Sequence, residues 1–370
     1  MSSLGRLYRA ETSIDFVAHR KRWFVVSLVF LSIALLSLLF RNGVGEIGLN
    51  LSLDFVGGVS VSVDNVAEAS EADVQDALDA LGVVDARIGT LNDGEMFRVK
   101  TEFLSDDDQT ALVRALAKVT GVSTEETSVD AVGPTFGAQI AERALLALVV
   151  FLGVVMLFIS IRFEWKMALG AIAALFHDLL LTAGVYSITN FEVTPSTVVA
   201  LLTILGYSLY DTVVVYDKIE EVTVDSESKK NYSEIVNLSM NQVLMRSINT
   251  SLTSLLPVGS LLFLGALLLG ASTIQDFALA LFVGIAAGTY SSIFIASPLL
   301  GLWKEKEPYW ADLRDRLEDR LEAAQARGVA IPEAEGKRPA AKQSLAGGSF
   351  DSRPGSTAGS KPRPPKKRKG

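Results

Sequence analysis

Cysteine is absent from the 370 residues, which excludes a disulfide framework, a thiolate nucleophile and any cysteine-based zinc or iron–sulfur site. Histidine occurs only twice, at His19 and His177, and no H-x-x-x-H or H-x-H spacing offers a metal site. A phosphate-binding loop is also missing: Gly336-Lys337 runs into Arg338 and Pro339, and no glycine stands five residues before Gly336. No ATPase activity, cofactor, metal or DNA partner is therefore expected. The chain has instead 49% hydrophobic residues and a mean hydropathy of +0.34. A soluble chain of this length would hold roughly two or three domains, but such apolarity points to a membrane protein.

The first apolar run, Trp23 to Phe40, carries 18 residues without a charge, enough to cover about 27 Å as a helix and cross a bilayer. Its length, the 22-residue leader and the sequence Arg41-Asn42-Gly43 after it favour an uncleaved anchor over a signal peptide. Five more spans are expected at Arg143–Ile161, Met167–Thr189, Thr194–Tyr216, Ser247–Leu269 and Ile274–Leu302. With a cytosolic start at residues 1–22, alternation puts Arg162, Lys166, Lys218, Lys229, Lys230, Lys304 and Lys306 on the cytosolic side. The outer loops 190–193 and 270–273 hold no Lys or Arg, as the positive-inside rule requires. Both termini are expected in the cytosol.

The formal net charge of -8 hides a segregation. Residues 42–141 hold 18 Asp/Glu against 5 Lys/Arg, and residues 336–370 hold 10 Lys/Arg against one Asp. The acidic part, 41–142, reads as an extracytoplasmic domain with its folded core at 50–132. Val59-Ser60-Val61-Ser62-Val63 alternates as a strand, and Ser70-x-x-Asp73 opens a helix stopped at Gly82. Ala86–Leu91 and Met96–Phe103 flank the turn signal Asn92-Asp93-Gly94. Ser105-x-x-Asp108 caps a second helix ending at Gly121, and Thr127–Val132 closes as a strand. This β-α-β-β-α-β order predicts a ferredoxin-like α+β sandwich. The fold class is thus a six-helix polytopic membrane protein with one small α+β domain between the first and second spans. Residues 217–246 read as a cytosolic loop, helical at both ends. In the cytosolic stretch 303–370, Leu313, Leu317 and Leu321 mark an amphipathic helix over 308–327. The Pro-, Gly-, Ser- and Lys-rich stretch 340–370 reads as disordered, and its basic charge suits anionic lipid or RNA equally.

Glycine-rich Gly43-x-Gly45-x-x-Gly48 matches a dinucleotide fingerprint as a string, but it follows a span and precedes a strand, the reverse of what that motif needs. Ionisable residues inside spans are more informative, because an Asp at mid-bilayer costs about 2.5–3.5 kcal/mol on insertion scales. Asp178 in the third span and Asp211 in the fourth qualify, each either a functional acid or a hydrogen-bonded clasp between helices. Thr203 and Tyr207 precede Asp211 at i−8 and i−4 as a polar stripe. Arg246 opens the fifth span, with Asn249, Thr250 and Thr253 on one face. If that face meets Asp211, burial favouring the neutral acid and a guanidinium favouring the carboxylate stand in the balance that a proton relay needs. Arg246 reads equally well as a positive-inside anchor. Thr273-x-x-Asp276 reads as a helix cap, and Ala280, Gly284, Gly288 and Ser292 as a small-residue packing face.

Several motifs together resemble the SecD/SecF family of protein-export membrane subunits. They are Leu53-Asp54-Phe55-x-Gly57-Gly58, His177-Asp178, the run Gly206 to Asp217 around Tyr210-Asp211, Arg246-Ser247-Ile248-Asn249-Thr250-Ser251, Phe277-Ala278-x-Ala280-Leu281 and Gly288-Thr289-Tyr290-Ser291-Ser292-Ile293-Phe294. They cover roughly residues 10–305. The resemblance implies a SecD partner, kinship with resistance-nodulation-division transporters, and half of a twelve-helix core in a bacterial cytoplasmic membrane. It implies engagement of the SecYEG channel and of preproteins, with the SecA motor acting indirectly and a YajC-like subunit alongside, driven by the proton gradient. It assigns proton coupling to Asp211 and Arg246, with Asp178 a further acid; Tyr207, Asn249 and Thr250, on the polar faces of their helices, are expected to support them. Tyr210 departs from the asparagine usual before the key Asp. Two alternatives stay open: half of a small-molecule exporter, and a passive translocon scaffold without ion coupling.

Overall fold

The computed structural model describes residues 14–42, 48–83, 86–91, 94–226, 229–265 and 272–327. Gly43, Gly45, the turn residues Asn92 and Asp93, the side chain of Thr273, the loop at 270–271 and the basic tail lie outside the described residues. In chain order the elements are α1 (Arg20–Phe40), β1 (Asn50–Leu51), α2 (Leu53–Val56), β2 (Gly58–Asp64), α3 (Glu71–Ala80), β3 (Arg87–Leu91), β4 (Met96–Thr101), α4 (Asp106–Thr120) and β5 (Ser128–Val132). Then come α5 (Pro134–Arg162), α6 (Trp165–Thr189), β6 (Glu192–Val193), α7 (Pro195–Asp225) and α8 (Tyr232–Ser260), which runs on into a π-helical turn at Leu261–Gly265. Finally α9 (Ser272–Ser291) passes through a second π turn, Ser292–Ala296, into α10 (Ser297–Lys304), and α11 spans Pro308–Ala326.

Among the described residues six helices are long and apolar enough to cross a membrane: α1, α5, α6, α7, α8 with its π turn, and α9 to α10 taken as one. Their outer faces stay apolar, as with Leu28, Phe30 and Leu36 on α1 and Leu145, Val149 and Leu157 on α5, all exposed. Local signals set the helix starts. Pro134 and Pro195 stand in the first turns of α5 and α7, where a missing N–H costs nothing. Thr194 with Thr197, and Asn231 with Glu234, form capping boxes.

The polar stretch 217–246 is helical at both ends, as its sequence suggests, and the helical ends take up most of it. Helix α7 continues to Asp225 and α8 begins at Tyr232, so the chain breaks only between them. Charge density marks where hydrocarbon ends, and a helix need not end there. Beyond that limit the hairpin keeps an apolar seam, with Ile219, Val222, Ile235, Val236 and Met240 buried in one cluster. Asp217, Lys218, Glu220 and Glu221 lie in the last turns of α7; Arg162 pairs with Asp217 at 2.7 Å and Glu220 at 3.3 Å.

The segment between α1 and α5 folds as a four-stranded antiparallel sheet in the order β3-β4-β2-β5, with α3 and α4 packed on it. Alternation along β2 and β4 turns Val59, Val61, Val63, Phe97 and Val99 inward against Val74 and Leu78 of α3 and Leu112 and Leu116 of α4. Ser70 and Ser105 cap the two helices. The Leu53 to Gly58 motif forms the junction to the membrane helices: α2 packs on the first turn of α5. Gly57 takes φ 75°, and a Cβ there would lie 2.6 Å from the Pro134 Cα, so only glycine fits. Two further ties bind this domain to the α6–α7 connection. Strand β1 pairs in parallel with β6, Asn50 opposite Glu192 and Leu51 opposite Val193, and Lys100 of β4 meets Glu192 at 2.6 Å.

At the opposite end, the amino-terminal segment lies across α8. Asn241 accepts from the Ile14 N–H at 2.9 Å and donates to its carbonyl at 2.8 Å, and Phe16 and Val17 are buried. Only the start of α11 docks, through Trp310 against Tyr232 at 4.9 Å between ring centres and Leu313 on the core; Leu321 is exposed. Between α10 and α11, Glu307 meets Lys166 at 2.7 Å and Lys304 at 3.1 Å, while Lys304 also reaches Glu164 at 2.6 Å. Partial burial pushes the Glu307 carboxyl up, but the hydrogen bonds and charges of Lys166 and Lys304 outweigh it and hold it below the usual carboxylate range. Its stabilising effect is therefore complete above the unfolded value of about 4.3 and is lost as pH falls through the lower folded value. Glu307→Gln is expected to cost about 1 kcal/mol at neutral pH. Thermal unfolding in detergent should show the gap to the native chain closing in acid; a gap that persists there rules out its charge as the origin.

Candidate functional site

The membrane helices meet along a polar seam made mostly of hydroxyls. Close approach of α9 to α7 builds it: a Cβ on Gly288 would lie 2.7 Å from the Ser208 Cβ, and one on Gly284 would overlap Ile204. The four-residue repeat Ala280, Gly284, Gly288 and Ser292 is thus a packing face, and it also delivers Ser291 and Ser292 to the helix interface. Ser292 shares a hydrogen bond with Thr212 at 2.8 Å and donates to the Ser208 carbonyl at 3.2 Å. Thr289 donates to Ser251 of α8 at 2.6 Å.

Asp178 of α6 is 1% exposed. Its Oδ2 accepts from Ser208 of α7 at 2.7 Å and from Ser291 of α9 at 2.8 Å, and its Oδ1 lies 3.2 Å from His177 Nδ1. Both oxygens are occupied and three helices are joined. The His177 ring stacks on Tyr290, whose hydroxyl donates to the Trp23 carbonyl of α1 at 3.0 Å.

Asp211 of α7 is buried differently. Its Oδ1 accepts from Ser247 of α8 at 2.7 Å, while its buried Oδ2 has no hydrogen-bond partner among the described residues. Among the described residues no hydrogen bond or ion pair joins Arg246 to Asp211. Arg246 is turned outward and donates through Nη2 to the Tyr210 hydroxyl at 3.0 Å, and it influences Asp211 only through space. Successive helical residues point about 100° apart. The inward members of Tyr210-Asp211 and Arg246-Ser247 therefore pair with each other, and so do the outward members.

The remaining polar positions do not reach Asp211 either. The Tyr207 hydroxyl is buried without a partner, Asn249 faces outward, and Thr250 bonds the Arg246 carbonyl of its own helix. Thr203 is exposed and bonds the Val199 carbonyl, so the polar stripe along α7 runs through Ser208, Asp211 and Thr212 instead. Sequence reasoning missed the donors Ser208, Ser247 and Ser291.

This architecture defines a multi-pass membrane protein with buried carboxyls at its helix interfaces. The family described as protein export membrane protein SecD/SecF, C-terminal, matches residues 112–306. Protein translocase subunit SecF of Streptomyces coelicolor is 42% identical over 323 residues, covering 86% of this chain and 85% of that one. Its namesake in Vibrio alginolyticus is 36% identical, covering 81% and 94%. The crystal structure of SecDF from Thermus thermophilus, a translocon-associated membrane protein, superposes with a TM-score of 0.68 at 34% identity over 80% of this chain. This chain spans only 39% of that SecDF chain. A second SecDF structure, in a super-membrane-facing form, gives a TM-score of 0.55 at 32% identity. The chain belongs to the SecD/SecF protein-export family, as a SecF-type subunit.

If close packing of α7 on α9 builds the seam, Gly288→Val should lower the thermal midpoint in detergent by the equivalent of about 1–3 kcal/mol, the usual cost of overpacking. Gly206→Ala is the control, since a Cβ there meets nothing within 4 Å; it should be neutral or stabilising by about 0.5–1 kcal/mol. Equal effects from the two substitutions would argue against the tight crossing.

Proposed function

We propose that the chain pairs with SecD to complete a twelve-helix core that engages SecYEG, with SecA acting indirectly and a YajC-like subunit alongside, and helps draw preproteins outward using the proton gradient. The single observation that carries this reading is Asp211: a carboxyl buried at a helix interface, one oxygen held by Ser247 and the other open. In this reading Asp211 binds the coupling proton. The carboxylate attracts the nearby Arg246 guanidinium and the neutral acid does not, so each protonation changes the force between α7 and α8. One elementary charge crossing 100 mV supplies about 2.3 kcal/mol, a bias of roughly fiftyfold on a conformational equilibrium. Asp178 belongs to the same coupled unit, but its two occupied oxygens favour a holding role over proton carriage.

A second subunit is supported by what α7 and α8 leave uncovered. Arg246 and Asn249 are exposed on a membrane-length helix, with Tyr210 beside them. A guanidinium facing lipid there is costly, whereas the matching face of a SecD half would cover it. The Thermus relative, named SecDF, is a chain of which this one spans 39%, in keeping with a core completed from elsewhere. The termini are assigned to the cytosol of a bacterium and the acidic sheet domain to the outer side. The Lys and Arg residues at the α5–α6, α7–α8 and α10–α11 ends support that orientation. The strand order β3-β4-β2-β5 with two helices supports reading that domain as a ferredoxin-like sandwich.

Asp211→Asn in inverted vesicles carrying the complete complex tests the proposal. Export is expected to fall to its gradient-independent rate while SecD still co-purifies. Undiminished gradient-driven export from a normally assembled complex would leave the chain a passive scaffold. Lost drug tolerance with normal export would make it an exporter half.

A further inference from the structure

We propose that Tyr210 is a positioning residue of the proton site: its phenol holds the Arg246 guanidinium away from Asp211 and so keeps the second carboxyl oxygen open. This rests on the reading of Asp211 as the coupling acid.

A guanidinium presents five N–H donors in a planar fork that matches a carboxylate, and it ordinarily takes a neighbouring carboxylate in preference to a neutral oxygen. Arg246 stands one residue from Ser247, which itself touches Asp211 at 2.7 Å. Even so, the described residues include no ion pair between Arg246 and Asp211. The guanidinium bonds the Tyr210 hydroxyl at 3.0 Å, and the buried Asp211 Oδ2 has no hydrogen-bond partner among the described residues. The phenol can do this because of where it sits. Tyr210 precedes Asp211 on α7 and its half-exposed ring points to the outward side on which Arg246 leaves α8. The rigid ring carries an acceptor far from the backbone, a reach that a short side chain lacks.

Two acceptors thus compete for one cation, and a proton competes with that cation for Asp211 Oδ2. With the phenol present, the guanidinium has a resting partner that leaves the carboxyl free to take up a proton. Without it, the strongest acceptor left to Arg246 is the carboxylate itself, and a guanidinium settled there blocks the oxygen the proton needs. Tyr210 touches neither the proton nor its carrier, and acts only through Arg246.

Tyr210→Phe keeps the ring and removes the oxygen. In the complete complex with SecD, reconstituted in vesicles, it is expected to assemble normally and to slow gradient-driven export roughly tenfold, the scale of one lost hydrogen bond to a charged group. A cryo-electron microscopy structure of that variant complex should show the guanidinium on Asp211. A native rate in assembled Y210F, or a guanidinium still clear of Asp211 in its structure, would each overturn the proposal. Loss of gradient-driven export in D211N together with a native rate in Y210F removes Tyr210 alone; a native D211N rate removes the underlying reading instead.

Discussion

The membrane bundle depends on the way Asp178 is buried. A carboxyl in this position costs several kcal/mol unless its oxygens are satisfied, and Ser208 and Ser291 satisfy it from two other helices. Those bonds form only if α7 and α9 lie close enough for both hydroxyls to converge on one oxygen. Gly288 permits that spacing. The clasp and the tight crossing are therefore one constraint, and the placement of the seam, including Asp211, follows from it.

The two acids divide the work by their surroundings rather than their identity. One has both oxygens engaged and ties helices together. The other has a single hydroxyl partner and an oxygen left over. A charge change at the first would unfasten the bundle, whereas one at the second perturbs only the α7–α8 contact. In the proposed function the first belongs to a frame that holds and the second is the group that changes charge within it.

Much of the architecture was legible in the sequence because it is written in local signals. Long apolar runs locate the six spans, and Ser70, Ser105 and Gly121 bracket the helices of the sheet domain as they do in the structure. Helix at both ends of 217–246 was legible, but the residues where α7 stops and α8 starts were not, since polarity reports the edge of the hydrocarbon and both helices pass through it. Asp178 and Asp211 stood out as ionisable groups in apolar runs, but their donors did not. Serine and threonine in such helices commonly bond their own preceding carbonyls, as Thr203 and Thr253 do here, so nothing in the string separates Ser208 and Ser247 from them. The Arg246 partner depends on rotation of α8 against α7, which no spacing within either helix records.

The parallel pairing of β1 with β6 and the Lys100–Glu192 contact place the foot of the sheet domain on the turn joining α6 to α7, the two helices that carry Asp178 and Asp211. With the α2–α5 junction as a second footing, the domain stands on two legs, one beside the helix pair that bears the acids. A tilt of that pair relative to α5 would rock the sheet like a beam on uneven supports, turning a small displacement deep in the bilayer into a wider sweep at its far edge.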